Sequence, residues 1–157
     1  MKIKIHQRKS DKNNAQLYKQ AVEFFLNELL SKVNQDALTL SISFKKFRGK
    51  AVKEHADLEH LGRYTYKMQV NNLKPFHSII STLAHECVHI KQSIKGQLVF
   101  KTNGLVYKNE LYDVDSPSRE EYNKLPHEVE ARTLELDLTQ RFFKSIVIPE
   151  VKTLNDV

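Results

Sequence analysis

The feature that most constrains this chain is the pentapeptide His85-Glu86-Cys87-Val88-His89, set in a stretch that opens at Pro75 and closes at Gly96. Proline tolerates the first turn of a helix, where its missing N–H has no partner anyway, and glycine accepts the exit conformation, so the bracket predicts one helix over 75–95. On a wheel of about 100° per residue, Ile79, Ile80, Leu83, Cys87, Ile90 and Ile94 fall within about 60° of Phe76. His85 and His89 fall near 180° and 220°, with Thr82 beside them, so both rings point away from that apolar stripe. Histidines satisfied inside a core would lie on the stripe. These two stand one helical turn apart, the spacing at which two imidazoles share one tetrahedral ion while the intervening glutamate stands beside it. With this content of His and Glu, chance gives the pattern in about 2% of chains of this length. Cys87 lies on the stripe and reads as a small core residue.

The remaining segments predict a sheet for this helix to pack on. Met1–His6 alternates apolar and basic residues, and Leu38–Phe44 alternates with Leu38, Leu40, Ile42 and Phe44 on one face. Gly62–Val70 is a third alternating segment. Leu17, Ala21, Phe25 and Leu29 give Asn13–Val33 the spacing of an amphipathic helix, and Lys45–Leu61, basic and then rich in His and acid, reads as a loop. Gln97–Phe100 and Leu105–Tyr107, split by Asn103-Gly104, predict a hairpin. A short helix is expected after Ser116-Pro117 and a longer one from Pro126 towards Phe143. The expectation is an α+β fold in a single domain over residues 1–157. Its mixed, mainly antiparallel sheet of three or four strands packs on the helices at 13–33 and 75–95, with strands 38–44 and 63–70 side by side.

At 157 residues the chain suits one core and needs no disulfide framework, which its single Cys87 could not form. The composition predicts a reducing cytosol. MKIKIHQRKS carries positive charge with no apolar stretch behind it, and no run approaches 18 apolar residues, so neither secretion nor membrane spanning is expected. The net charge of +6 is uneven: residues 1–109 carry 19 bases against 8 acids, and residues 110–157 carry 6 against 11. A polyanion could use the basic part, yet the lysines are dispersed, without a basic helix or an aromatic-basic sheet, so nucleic acid is not the favoured partner. His55 and His60, five apart among Glu54, Asp57 and Glu59, would lie about 140° apart on a helix and predict a solvated loop, not a second metal site.

Two histidines and water make a poor zinc site, and Pro126–Ala131 (PHEVEA) offers three candidates for a further ligand: His127, Glu128 and Glu130. With TLAHECVHIKQ and then Tyr-x-x-x-Pro-x-Glu-x-Glu-Ala, the sequence resembles the compact gluzincin-type zinc metallopeptidases, in particular the SprT-like and ImmA/IrrE-like proteins of phages and bacteria. The likeness covers about residues 76 to 143. It implies a minimal zincin-like fold with Zn²⁺ held by His85, His89 and Glu128, three residues before Ala131. Glu130 would face about 200° away on the helix, and because SprT proper uses a third histidine, His127 stays open as the alternative ligand. One departure stands out: Arg132 occupies the place where several gluzincins carry an Asp or Asn that supports a zinc-bound histidine. Asp113, Asp115, Glu135 or a backbone carbonyl would have to take that role.

The chemistry this implies is amide hydrolysis, with Glu86 as general base and then proton donor, and with Tyr112 or Tyr122 available to steady the developing oxyanion. The resemblance also implies a peptide or protein substrate pairing with the 63–70 strand as a sheet edge. The competing reading is a zinc-containing module that binds DNA or a protein with little hydrolysis. A zinc nucleobase deaminase fails for lack of Pro-Cys-x-x-Cys.

Overall fold

The computed structural model describes the chain except for residues 8–11, 114–116 and 156–157. Strand β1 (Lys2–His6) leads to helix α1 (Lys12–Leu29), and helix α2 (Lys32–Ala37) precedes strand β2 (Thr39–Lys45). The stretch 13–33, expected as one helix, is thus two. Ser31 sits in extended conformation between them, and its hydroxyl accepts from the Asn34 N–H at 3.4 Å, satisfying one free donor at the start of α2. The stretch 45–61, expected as a loop, contains a 3-10 turn (Gly49–Lys53) and strand β3 (Ala56–Gly62). Ala56 and Leu58 of β3 are half-buried against the core while Asp57 and Glu59 are exposed, so only one face carries an apolar signal.

After β4 (Thr65–Asn71) comes helix α3 (Phe76–Ile94), then strands β5 (Leu98–Lys101), β6 (Gly104–Tyr107) and β7 (Glu110–Tyr112), and helices α4 (Arg119–Asn123) and α5 (Pro126–Asn155). Helix α3 fits its sequence bracket: Pro75 is the N-cap, and Gly96 takes φ 68° just after the C-cap Lys95. The Arg63 guanidinium donates to the Ile94 carbonyl at 3.3 and 3.4 Å, satisfying an acceptor left open at the helix end. Ser118 and Glu121 form a reciprocal cap on α4. None of the described helices is long and apolar enough to cross a membrane.

The larger sheet has the order β1-β2-β4-β3, with β1–β2 and β2–β4 parallel and β3–β4 antiparallel. The α1–α2 segment supplies the crossover that a parallel β1–β2 pair requires. Strands 38–44 and 63–70 are neighbours as expected, but in parallel register: Leu40 faces Tyr66, Ile42 faces Met68 and Phe44 faces Val70. The class is α+β with a mixed sheet. Its antiparallel majority appears only when the separate all-antiparallel β5-β6-β7 sheet is counted with it. The core gathers those inward residues with Phe25 and Leu26 of α1, Leu83 and Ile90 of α3, and Leu138 and Phe142 of α5. Each such side chain, fully buried, contributes about 1.5–3 kcal/mol. One expectation needs correction: the 63–70 strand is not an edge. Its backbone pairs with β2 on one side and β3 on the other, so β3, together with β1 at the far side, is an edge strand of the sheet.

Candidate metal centre

His85 and His89 project from the face of α3 opposite its apolar stripe and meet the first turn of α5. Their Nε2 atoms are 3.1 Å apart. Glu128 places Oε2 3.1 Å from His85 Nε2 and Oε1 3.0 Å from His89 Nε2. Ligand atoms held at about 2.0–2.2 Å by one tetrahedral ion lie about 3.3–3.6 Å from each other, so the three side chains stand close to that arrangement. Among the described residues, His85, His89 and Glu128 form the group able to hold a metal ion.

The outer ring nitrogens show which way each imidazole faces. His85 Nδ1 donates to Glu135 Oε2 at 2.9 Å, and Ser81 donates to the other oxygen of that carboxylate. His89 Nδ1 donates to Gln92 Oε1 at 2.9 Å. The orientation of that amide is set by its nitrogen, which donates to the His127 carbonyl at 3.0 Å and to Glu130 Oε2 at 2.7 Å. With protons on Nδ1, both rings turn Nε2 lone pairs towards each other and towards a carboxylate. Acceptors this close require positive charge between them, a shared proton or a metal ion.

The electrostatics agree. Burial would lower His85, but hydrogen bonds to Glu128 and Glu135 and the field of Glu86 push it up to about 10. His89 is likewise raised, burial being outweighed by Glu128 and Glu86. Glu128 moves the other way: burial would raise it, and the hydrogen bonds from His85 and His89 hold it well below the usual carboxylate range. Glu86 is raised by burial in spite of both histidines. It lines the same cleft and accepts no hydrogen bond from any described residue.

The other candidates separate cleanly. His127 is fully buried beside the centre, its ring centroid 5.6 Å from that of His89 and its Nε2 3.3 Å from the Tyr122 hydroxyl and 3.6 Å from Glu128 Oε1, while its Nδ1 has no partner among the described residues. Glu130 faces away from the pair, taking Lys91 Nζ at 2.9 Å and the Tyr107 hydroxyl at 2.7 Å as well as Gln92. Of the residues offered as support for the histidines, Glu135 takes that role. Asp113 is exposed, and Asp115 lies outside the described residues. Arg132, in the place of the missing acid, donates to Asn123 Oδ1 at 2.9 Å. Tyr122 lines the cleft, whereas the Tyr112 hydroxyl donates to Glu110. Sequence reasoning missed Gln92, although its place three residues after His89 puts it on the neighbouring turn, within reach of that ring.

The centre opens into a cleft of about 1030 Å³, lined by β3 on one side and by α4 and the start of α5 on the other. His55 and His60 line this cleft too, as parts of its wall, and do not form a second metal group among the described residues. Compared with known proteins, the chain matches no protein family, no curated protein and no solved structure.

Proposed function

We propose that this chain is a zinc-dependent metallopeptidase. The observation that carries the reading is the shared cleft: His85, His89 and Glu128 converge there, and Glu86 stands beside them with no hydrogen-bond partner among the described residues. Two imidazoles and one carboxylate, with a position left for water, are a donor set that suits Zn²⁺. When bound, the ion would acidify water and polarise a substrate carbonyl. Glu86, its pKa raised by burial, takes the proton of the attacking water and passes it to the departing nitrogen. Gln92 and Glu135 hold the imidazoles in the ligating orientation. Tyr122 offers a hydroxyl to the developing oxyanion, and the His127 ring at 3.3 Å fixes where that hydroxyl lies. A peptide substrate docks as an added strand on β3, the edge strand beside the centre, in place of the strand at 63–70.

The test is zinc content by mass spectrometry beside cleavage of casein and of a peptide library. Glu86→Gln keeps every proposed ligand and the outline of the side chain. Zinc should remain, and hydrolysis should fall by about 10²–10⁴-fold, the share of a positioned general base. Equal activity in both proteins removes Glu86 from the mechanism. A wild type that binds zinc and cleaves nothing turns the reading to a binding module on this scaffold.

A further inference from the structure

The cleft changes character along its length. Strand β3 forms one wall, and its two ends differ. Near Gly62, the His60 ring meets the Tyr66 ring edge-on at 5.2 Å and the Phe100 ring at 5.5 Å. Phe100, on β5, lines the cleft with 52% of its surface exposed, a large aromatic side chain left open at the mouth of a site. Burial and the field of His89 lower the pKa of His60, so this aromatic corner belongs to the His89 side of the centre.

The opposite end is polar and basic. His55 Nδ1 lies 3.5 Å from Thr82 Oγ1, on the turn of α3 before His85. Burial lowers its pKa, and the fields of Lys74 and Arg119 lower it further, which places both cations near this end. Lys50 and Lys53, just before His55 in the chain, line the cleft, and Lys50, Lys53 and Arg119 are without ion-pair partners among the described residues. Arg132 lines the cleft as well, while of the five lining carboxylates Glu86, Glu128 and Glu135 gather at the centre and Glu54 and Asp57 lie along β3 and just before it. From His55 to His60 the chain covers about 17 Å at about 3.3 Å per residue, the span of about five residues of extended peptide.

Resting on the peptidase reading above, we propose that the cleft selects extended peptides that carry an aromatic or large apolar side chain and a carboxylate about four residues apart. The ring seats against Phe100 and His60, and the carboxylate faces Arg119 and Lys53. Antiparallel pairing with β3, the commoner kind of pairing, puts the ring towards the N-terminus of the substrate and the acid towards its C-terminus.

The experiment measures fluorescence anisotropy of rhodamine-labelled ten-residue peptides on a Ser/Ala background. One carries Phe then Glu at the stated spacing, one has Glu replaced by Lys, one has Phe replaced by Ser, and one has the order reversed. The wild type should bind the Phe/Glu peptide about tenfold more tightly than either single replacement. Arg119→Glu should invert the Glu-over-Lys preference, and Phe100→Ser should erase the Phe-over-Ser preference. Both positions are exposed, so thermal midpoints should match the wild type. Equal wild-type affinity for all peptides, or preferences that persist in both variants, overturns the proposal. Cleavage of the same peptides keeps the two readings apart. Hydrolysis without preference sinks the selectivity and leaves the peptidase, whereas selective binding without hydrolysis leaves the selectivity and sinks the peptidase.

Discussion

Glu86 and Glu128 are carboxylates of one cleft whose surroundings push them in opposite directions. Hydrogen bonds from two imidazoles keep Glu128 ionised, as a metal ligand would have to be, while Glu86 has burial and no donor among the described residues, which raises its affinity for a proton. The same division of labour runs through the amides and acids behind the centre. Gln92 holds His89 through its oxygen, and it can do so because Glu130 and the His127 carbonyl claim its nitrogen. Glu130 in turn collects Lys91 and Tyr107, so a chain of polar contacts runs from the β6 strand to the back of the His89 ring. Replacing Gln92 by Leu keeps the bulk and removes the acceptor. Zinc affinity, measured by competition with a chromophoric chelator, should fall about 10–100-fold, the usual consequence of losing a group that orients a metal-bound histidine. His89→Ala should lose metal and hydrolysis together, because it removes a ligand itself. An unchanged affinity in Gln92→Leu would mean that α3 alone orients the ring.

Among the elements, the small β5-β6-β7 sheet presents Phe100 to the cleft and Tyr107 to Glu130, so its integrity bears on the site. Two tight turns build it. Lys101 pairs with Gly104 across Thr102-Asn103, and Lys108 and Asn109, with φ 47° and 71°, form the primed turn into β7. Gly104, at φ 150°, has no room for a side chain, since a Cβ there would overlap the Tyr112 carbonyl oxygen. Gly104→Ala should therefore cost about 1–3 kcal/mol in urea unfolding. A smaller loss would show that the β7 strand yields to the added methyl. The asparagine-glycine pair marked the first hairpin in the sequence, although the turn sits one residue earlier, at Thr102-Asn103, and Gly104 opens β6, whereas Lys108-Asn109 and a three-residue strand carry no such signal. Helix α3 was legible because proline, glycine and six apolar residues all agree on one register. Strand β3 was not, because an edge strand spends alternate positions on Asp57, Glu59 and solvent, and Ala56 and Leu58 alone do not make a period. The break at Ser31 was hidden for the opposite reason: the apolar spacing of α1 runs smoothly up to a residue whose role is to cap the next helix. The neighbours of the centre were legible only as a choice, since Glu135 lies 50 residues from His85 and its claim over Asp113 is a matter of how α5 docks.

For the whole molecule, the acid excess after residue 110 has a definite use. Three of those acids, Glu128, Glu130 and Glu135, point from α5 onto α3, where they meet His85 and His89, Lys91 and Gln92, and Ser81. Further along, the same helix pair is joined to α1 through apolar contacts, with Phe142 against Phe24 and Phe25 at ring separations of 5.7 Å. Docking of α5 thus has an apolar half that needs no ion and a polar half in which two imidazoles and a carboxylate crowd together. An ion shared by α3 and α5 binds the docked arrangement and not the unfolded chain, so its binding energy adds to folding stability. With free zinc at 100 times its dissociation constant, urea unfolding should show about 2.7 kcal/mol of added stability, reversed by a chelator. His89→Ala should fold through the apolar half and show no response to zinc. Wild-type stability indifferent to zinc and chelator alike would mean that the three side chains hold protons instead of a metal, and the hydrolytic reading would lose its foundation.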